Sequence, residues 1–71
     1  MPGSVYKVIE IIGTSPNSWE DAARNAVETA SKTLRELRIA EVTDLDMKLE
    51  DGKVVLYRAK VKVSFKYLED A

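Results

Sequence analysis

Residues 53–67 alternate without a break. Val55, Tyr57, Ala59, Val61, Val63, Phe65 and Tyr67 fall on one parity, and Arg58, Lys60, Lys62, Ser64 and Lys66 on the other. A period of two sustained this long predicts a β-strand with one apolar and one polar face, and such a strand needs neighbours. Residues 41–50 supply one. Leu45, Met47 and Leu49 share a face there, opposite Asp44, Asp46, Lys48 and Glu50. Asp51-Gly52 between the two runs is a hairpin signal. Directly opposed residues share a face, so parity bears on the turn. A plain two-residue turn sets Leu49 opposite Val54 and mismatches the apolar faces. A three-residue loop, Glu50-Asp51-Gly52 with Gly52 left-handed, restores the match. It pairs Leu49 with Lys53, Met47 with Val55, Leu45 with Tyr57 and Thr43 with Ala59. It also places Asp44 opposite Arg58 and Asp46 opposite Leu56. An Asp44–Lys60 pairing refutes this register.

Residues 5–12 are rich in β-branched and aromatic types and predict a further strand. Val5, Ile9 and Ile11 lie on one face and Tyr6, Val8 and Ile12 on the other. A strand with apolar groups on both faces is expected to meet another subunit on the second. Gly13 to Ser18 reads as a loop. Ser18 is a candidate N-cap, with Asp21 completing a variant capping box. Trp19, Ala22, Ala23, Ala26, Val27, Ala30, Leu34 and Leu37 recur at spacings of three and four, which predicts a helix over 18–36. Its four alanines imply close approach to a sheet. The layout is therefore α+β, a β-α-β-β unit (strands 5–12, 41–50 and 53–67) with an antiparallel sheet in the order 1-3-2. The second strand is then an edge. One helix covers one face only, and the other carries Val42, Val54 and Leu56 among its charges. Association with copies of the same chain is the expected remedy.

Composition narrows the chemistry. The 71 residues make one small domain, 1–71, and a chain this short needs disulfides, a metal or partner subunits to stabilise it. There is no Cys and no His. That removes disulfides, thiolate zinc sites, thiol nucleophiles and imidazole bases, and leaves oxygen as the only hard-cation ligand. A net charge of −1 argues against nucleic-acid binding by bulk charge. Apolar runs are too short to span a membrane, and neither a signal peptide nor a membrane partner is expected, which points to the cytoplasm.

The ordered segments Val5-Tyr6-Lys7-Val8-Ile9-Glu10, Gly13-Thr14-Ser15-Pro16, Ala22-Ala23 with Ala26, Lys32-Thr33-Leu34-Arg35, Glu41-Val42 and Val61-Lys62-Val63-Ser64-Phe65 resemble the dodecins, over roughly residues 4–67. The resemblance implies a sheet wrapped around one helix, twelve subunits in a hollow shell, and no catalysis. It also implies a small ligand held between neighbouring edge strands at twofold axes: riboflavin or its nucleotides (FMN) in some members, coenzyme A in some. The flavin-binding members carry a Trp before the Glu-Val of the second strand and a Gln after the aromatic position of the third. Here those places hold Ile39 and Arg58, so flavin binding is expected to be weak or lost. Trp19, distant along the chain, is not expected to replace the missing indole. Thr14-Ser15-Pro16-Asn17-Ser18-Trp19-Glu20 and Asp44-Leu45-Asp46-Met47 are more similar to a branch described as calcium-binding.

The candidate inter-subunit ligand residues are accordingly Ile39, Asp44, Asp46 and Arg58, with Asp44 and Asp46 as candidate metal ligands. The two carboxylates lie roughly 6.5–7 Å apart along one strand face. Doubled across a twofold they offer four carboxylates to calcium, which takes six to eight oxygens. The competing interpretation is a solvated edge with Asp44 neutralised by Arg58. Arg58, Lys60, Lys62 and Lys66 can meet phosphates of a nucleotide or coenzyme A, or face acids of neighbouring subunits. Glu10 is expected to pair across a subunit contact, Tyr57 and Tyr67 to be core, and Glu50-Asp51-Gly52 to be a turn. A carboxylate enzyme finds little support in this inventory. A shell that carries no ligand is a third alternative.

Overall fold

The computed structural model describes Gly3 and residues 5–66. The element order is β1 (Tyr6–Ser15), α1 (Trp19–Ala30), β2 (Leu37–Glu50) and β3 (Lys53–Lys66). The three strands form one antiparallel sheet with β3 in the centre, in the order β1-β3-β2. This is the layout and strand order that the alternation predicts. Tyr67 lies outside the described residues.

The helix starts where the sequence places it and stops earlier. Ser18 is extended and its hydroxyl accepts from the Asp21 N–H at 3.0 Å, as an N-cap does. The reciprocal arm of the capping box is diverted. The Asp21 carboxylate accepts instead from the hydroxyl of Ser15 (2.7 Å), which is itself buried and accepts from the Asn17 N–H. At the other end α1 closes at Ala30, not Glu36. The Ser31 hydroxyl donates to the Glu28 carbonyl, while the Lys32 and Thr33 N–H groups bond only three residues back. Ser and Thr side chains compete with the helix ladder in this way. Glu36 then takes a left-handed φ of 59° and turns the chain into β2. Leu37 therefore enters the core from a strand and not from the helix. Its spacing from Leu34 matches a helical period by coincidence. For the same reason β2 begins at Leu37, four residues before the expected start, and β1 runs on through the expected loop to Ser15.

The hairpin is the two-residue kind. Asp51 (φ 52°) and Gly52 (φ 75°) are both left-handed, as a type I′ turn requires, and Glu50 pairs with Lys53. Leu49 then opposes Val54, the mismatch that parity argued against. An irregularity follows at once: Lys48 opposes Leu56, so Val55 is the extra residue of a bulge. From there Met47 faces Tyr57, Leu45 faces Ala59, Asp46 faces Arg58 and Asp44 faces Lys60. The three-residue register is thus refuted. A bulge beside a tight turn restores the face match that a longer loop would have given. Two further irregularities bend β2, at Arg38 and at Thr43. The one at Thr43 turns Val42 toward the helix side, opposite buried Val61. The one at Val55 does the same for Val54. Of the three apolar residues expected on the outer face, only Leu56 is there.

The core is thin. Ala22, Ala26, Ala59, Val61 and Val63 are buried, with Ile9, Ile11, Ala23, Val27 and Leu37 packed against them. Helix and sheet meet without spacing. A Cβ on Gly13 would stand 2.0 Å from the Ala22 carbonyl oxygen and 2.8 Å from the Ala26 Cβ. The alanine stripe on α1 and the missing side chain at Gly13 answer one another. The helix lies over β1 and β3, and the far half of the hairpin extends past it. Leu45, Met47, Leu49 and Val54 are consequently exposed.

Candidate functional site

Opposed residues share a face, so the ladder identifies the outer surface of the sheet. Arg58, Lys60, Lys62, Ser64 and Lys66 run down its centre on β3. Glu10 on β1 and Glu41 on β2 both face Lys62, Asp44 faces Lys60, and Asp46 faces Arg58. The acids that answer the basic stripe come from the flanking strands of the same chain. Glu10, expected to pair across a subunit contact, sits opposite Lys62 of its own chain and makes no ion pair with it among the described residues.

Of the four candidate ligand residues, three come together. Asp44, Asp46 and Arg58 occupy adjoining outer positions on β2 and β3. The Arg58 guanidinium donates from Nε to one Asp46 carboxylate oxygen at 2.7 Å and from Nη2 to the other at 2.9 Å. This fork matches the carboxylate in plane and twice over, the strong form of such a pair. The bond from Arg58 holds the Asp46 carboxyl below its ordinary range, and the same bond raises the guanidinium. Ile39 is separate. It lies opposite Ser64, 67% exposed, seven residues and roughly 20 Å along β2 from Asp46. It borders a hollow of about 160 Å³ with Val27, Leu37, Arg38, Ala40 and Val63.

Trp19 belongs to the neighbourhood after all. Its Nε1–H donates to the Asp46 backbone carbonyl at 3.0 Å, and its ring meets Tyr57 edge-on with centroids 5.1 Å apart. The helix start and the edge strand, 27 residues apart in sequence, touch here. Nothing in the local pattern marks this contact, because it depends on the register of the hairpin. A second feature without a sequence signal is an open groove of about 390 Å³ between β1 and α1. Ile12, Thr14, Asn25 and Thr29 are among its walls, and Asn25 donates to the Thr14 carbonyl.

A single chain does not by itself fit a calcium ion at these aspartates. Both Asp46 carboxylate oxygens already accept from Arg58, its carbonyl accepts from Trp19, and Asp44 looks across at Lys60. Among the described residues no three or more Asp or Glu side chains converge. Six to eight oxygens would require a second copy.

The comparisons with known proteins agree with this architecture. The family model described as Dodecin matches residues 5–68. The calcium dodecin of Mycobacterium tuberculosis is 51% identical over 63 residues, 89% of each chain. A solved calcium dodecin of the same organism, described as calcium-chelating with a novel calcium-binding site, superposes with a TM-score of 0.83. It is 47% identical and covers 96% of this chain and 97% of its own. The dodecin of Streptomyces coelicolor superposes with a TM-score of 0.91 at 41% identity, covering 99% of this chain and all of that one. The order of strands, the alanine-faced helix and these matches lead to one conclusion: the chain belongs to the dodecin family.

Proposed function

We propose that this chain, acting over residues 1–71 as one unit, assembles into a hollow homododecamer that sequesters a small ligand or ion without catalysing a reaction, and that calcium is the favoured ion. The observation that carries the reading is the place of Asp44 and Asp46. They share one face of an edge strand, where a symmetry-related copy can double them, in a chain 51% identical to a calcium dodecin. Four carboxylates and their backbone neighbours approach the oxygen count that calcium takes. Ile39 supports the same reading. An exposed aliphatic side chain cannot stack on a flavin ring as an aromatic one does. The thin alanine and valine core supports assembly, since a domain this small gains stability from partner subunits. No helix among the described residues is long and apolar enough to cross a membrane, and a cytoplasmic pool of the protein fits the absence of cysteine.

Native mass spectrometry with calcium titration tests the proposal. The expected result is a twelve-subunit species whose calcium uptake and thermal stabilisation fall when Asp44→Asn is introduced. A monomer, or calcium uptake untouched by Asp44→Asn and Asp46→Asn, overturns it. Yellow protein with quenched flavin fluorescence would transfer the function to flavin storage.

A further inference from the structure

We infer that Arg58 is a tethered cation that occupies the Asp46 carboxylate and so competes with any free divalent cation for it. The inference rests on the reading of Asp44 and Asp46 as cation ligands and concerns what sets their affinity. Three facts meet at Asp46. Its two carboxylate oxygens accept from the two arms of one guanidinium at 2.7 and 2.9 Å. Its carbonyl oxygen accepts from the Trp19 indole at 3.0 Å, which holds the backbone at this point of the edge. Arg58 opposes it directly on the central strand, so the guanidinium is delivered from a paired, rigid element. Arginine keeps its charge at every accessible pH, so this competitor does not release by deprotonation. A divalent ion that enters must take oxygens from Arg58 and stand near its positive charge.

Arg58 is therefore a gain control. With it, the aspartates hold cations weakly and respond only where the ion is abundant. Without it, the same carboxylates become a stronger site. Lys60, opposite Asp44, has the charge but no fork, and no ion pair as short joins it to Asp44 among the described contacts.

The test compares assembled wild-type protein with Arg58→Gln, Arg58→Lys and the double variant Arg58→Gln/Asp46→Asn by calorimetric titration with calcium chloride at fixed ionic strength. Trp19 fluorescence and native mass spectrometry report fold and subunit count. Removing one unit charge a few ångströms from the ion should tighten calcium binding about fivefold in Arg58→Gln. Arg58→Lys should fall between it and wild type, and the double variant should lose the gain. Equal or weaker calcium binding by a correctly assembled Arg58→Gln overturns the inference and leaves the calcium reading intact wherever wild type binds. Binding by Arg58→Gln alone upholds the inference and removes calcium as the natural ligand. Binding by neither defeats both. Should Arg58→Gln fail to assemble, Arg58→Lys decides between them by the same comparison.

Discussion

Gly13 shows how much one absent side chain can carry. Its neighbours on α1 stand where a Cβ would be, with backbone on one side and a packed methyl on the other, so neither can yield cheaply. Gly13→Ala is expected to destabilise the fold by about 2 kcal/mol or more, read as a lower denaturation midpoint at unchanged slope. Asp46 makes the complementary case at the surface. Its bond to Arg58 lowers the carboxyl from the ordinary 3.8, so the stability the pair adds is complete above about pH 4 and fades as the pH falls through the lowered value. Screening keeps that contribution small. Asp46→Asn should flatten the acid limb of a stability profile through a small loss above about pH 4 that disappears in acid. At this scale the sequence is half legible. Ser18 announces its cap through its type and its position. Ser15 does not announce that it will bury its hydroxyl and take Asp21 for itself, since that bond forms only once the chain has turned at Pro16 and Asn17.

Among the elements, strand order and helix length are written into the sequence to different degrees, for separable causes. Strand identity and order followed from long alternation, which few alternatives can imitate. Helix length did not, because Leu34 and Leu37 continued the period after the backbone had left it. Side-chain bonds from Ser31 and Thr33 end the helix, and Glu36 redirects it. Glu36 holds a left-handed φ at a cost that glycine would not incur. Glu36→Gly is expected to be neutral or to raise stability by up to about 1 kcal/mol, in contrast to glycine elsewhere in the chain. Asp51 and Gly52 define the converse. Gly52→Val should weaken the hairpin by about 1–2 kcal/mol, seen as faster amide exchange along Lys48–Leu56. The register failed for an instructive reason. Parity correctly demanded that the faces match, and it named a longer loop as the means. The chain used a bulge at Val55, which preserves the strongest turn signal in the sequence.

The shape of the whole molecule is what most separates it from a self-sufficient domain. Its radius of gyration is 14.9 Å, against about 11 Å for a compact chain of this length, and its longest extent is 56 Å. The excess is the hairpin, which runs beyond the helix and leaves Leu45, Met47, Leu49 and Val54 uncovered on the helix-side face. Met47→Asp combined with Leu49→Lys is expected to preserve strand content by circular dichroism and to shift the protein to smaller species on size-exclusion chromatography. An unchanged elution volume would place the subunit contacts elsewhere. That an apolar surface would be left bare was legible from one helix and three strands. Its location was not, because the bulges moved Val42 and Val54 across the sheet.

The bends in β2 carry a last consequence. An outermost strand that is flat and regular lets identical strands stack without limit, which is how fibrils begin. Here the β2 margin is irregular at Arg38 and again at Thr43, and its uninterrupted stretch toward the hairpin runs only from Asp44 to Lys48. A neighbour can dock along that stretch and then find its path curving away. The same irregularities that confuse the register thus deny β2 the role of an endless template.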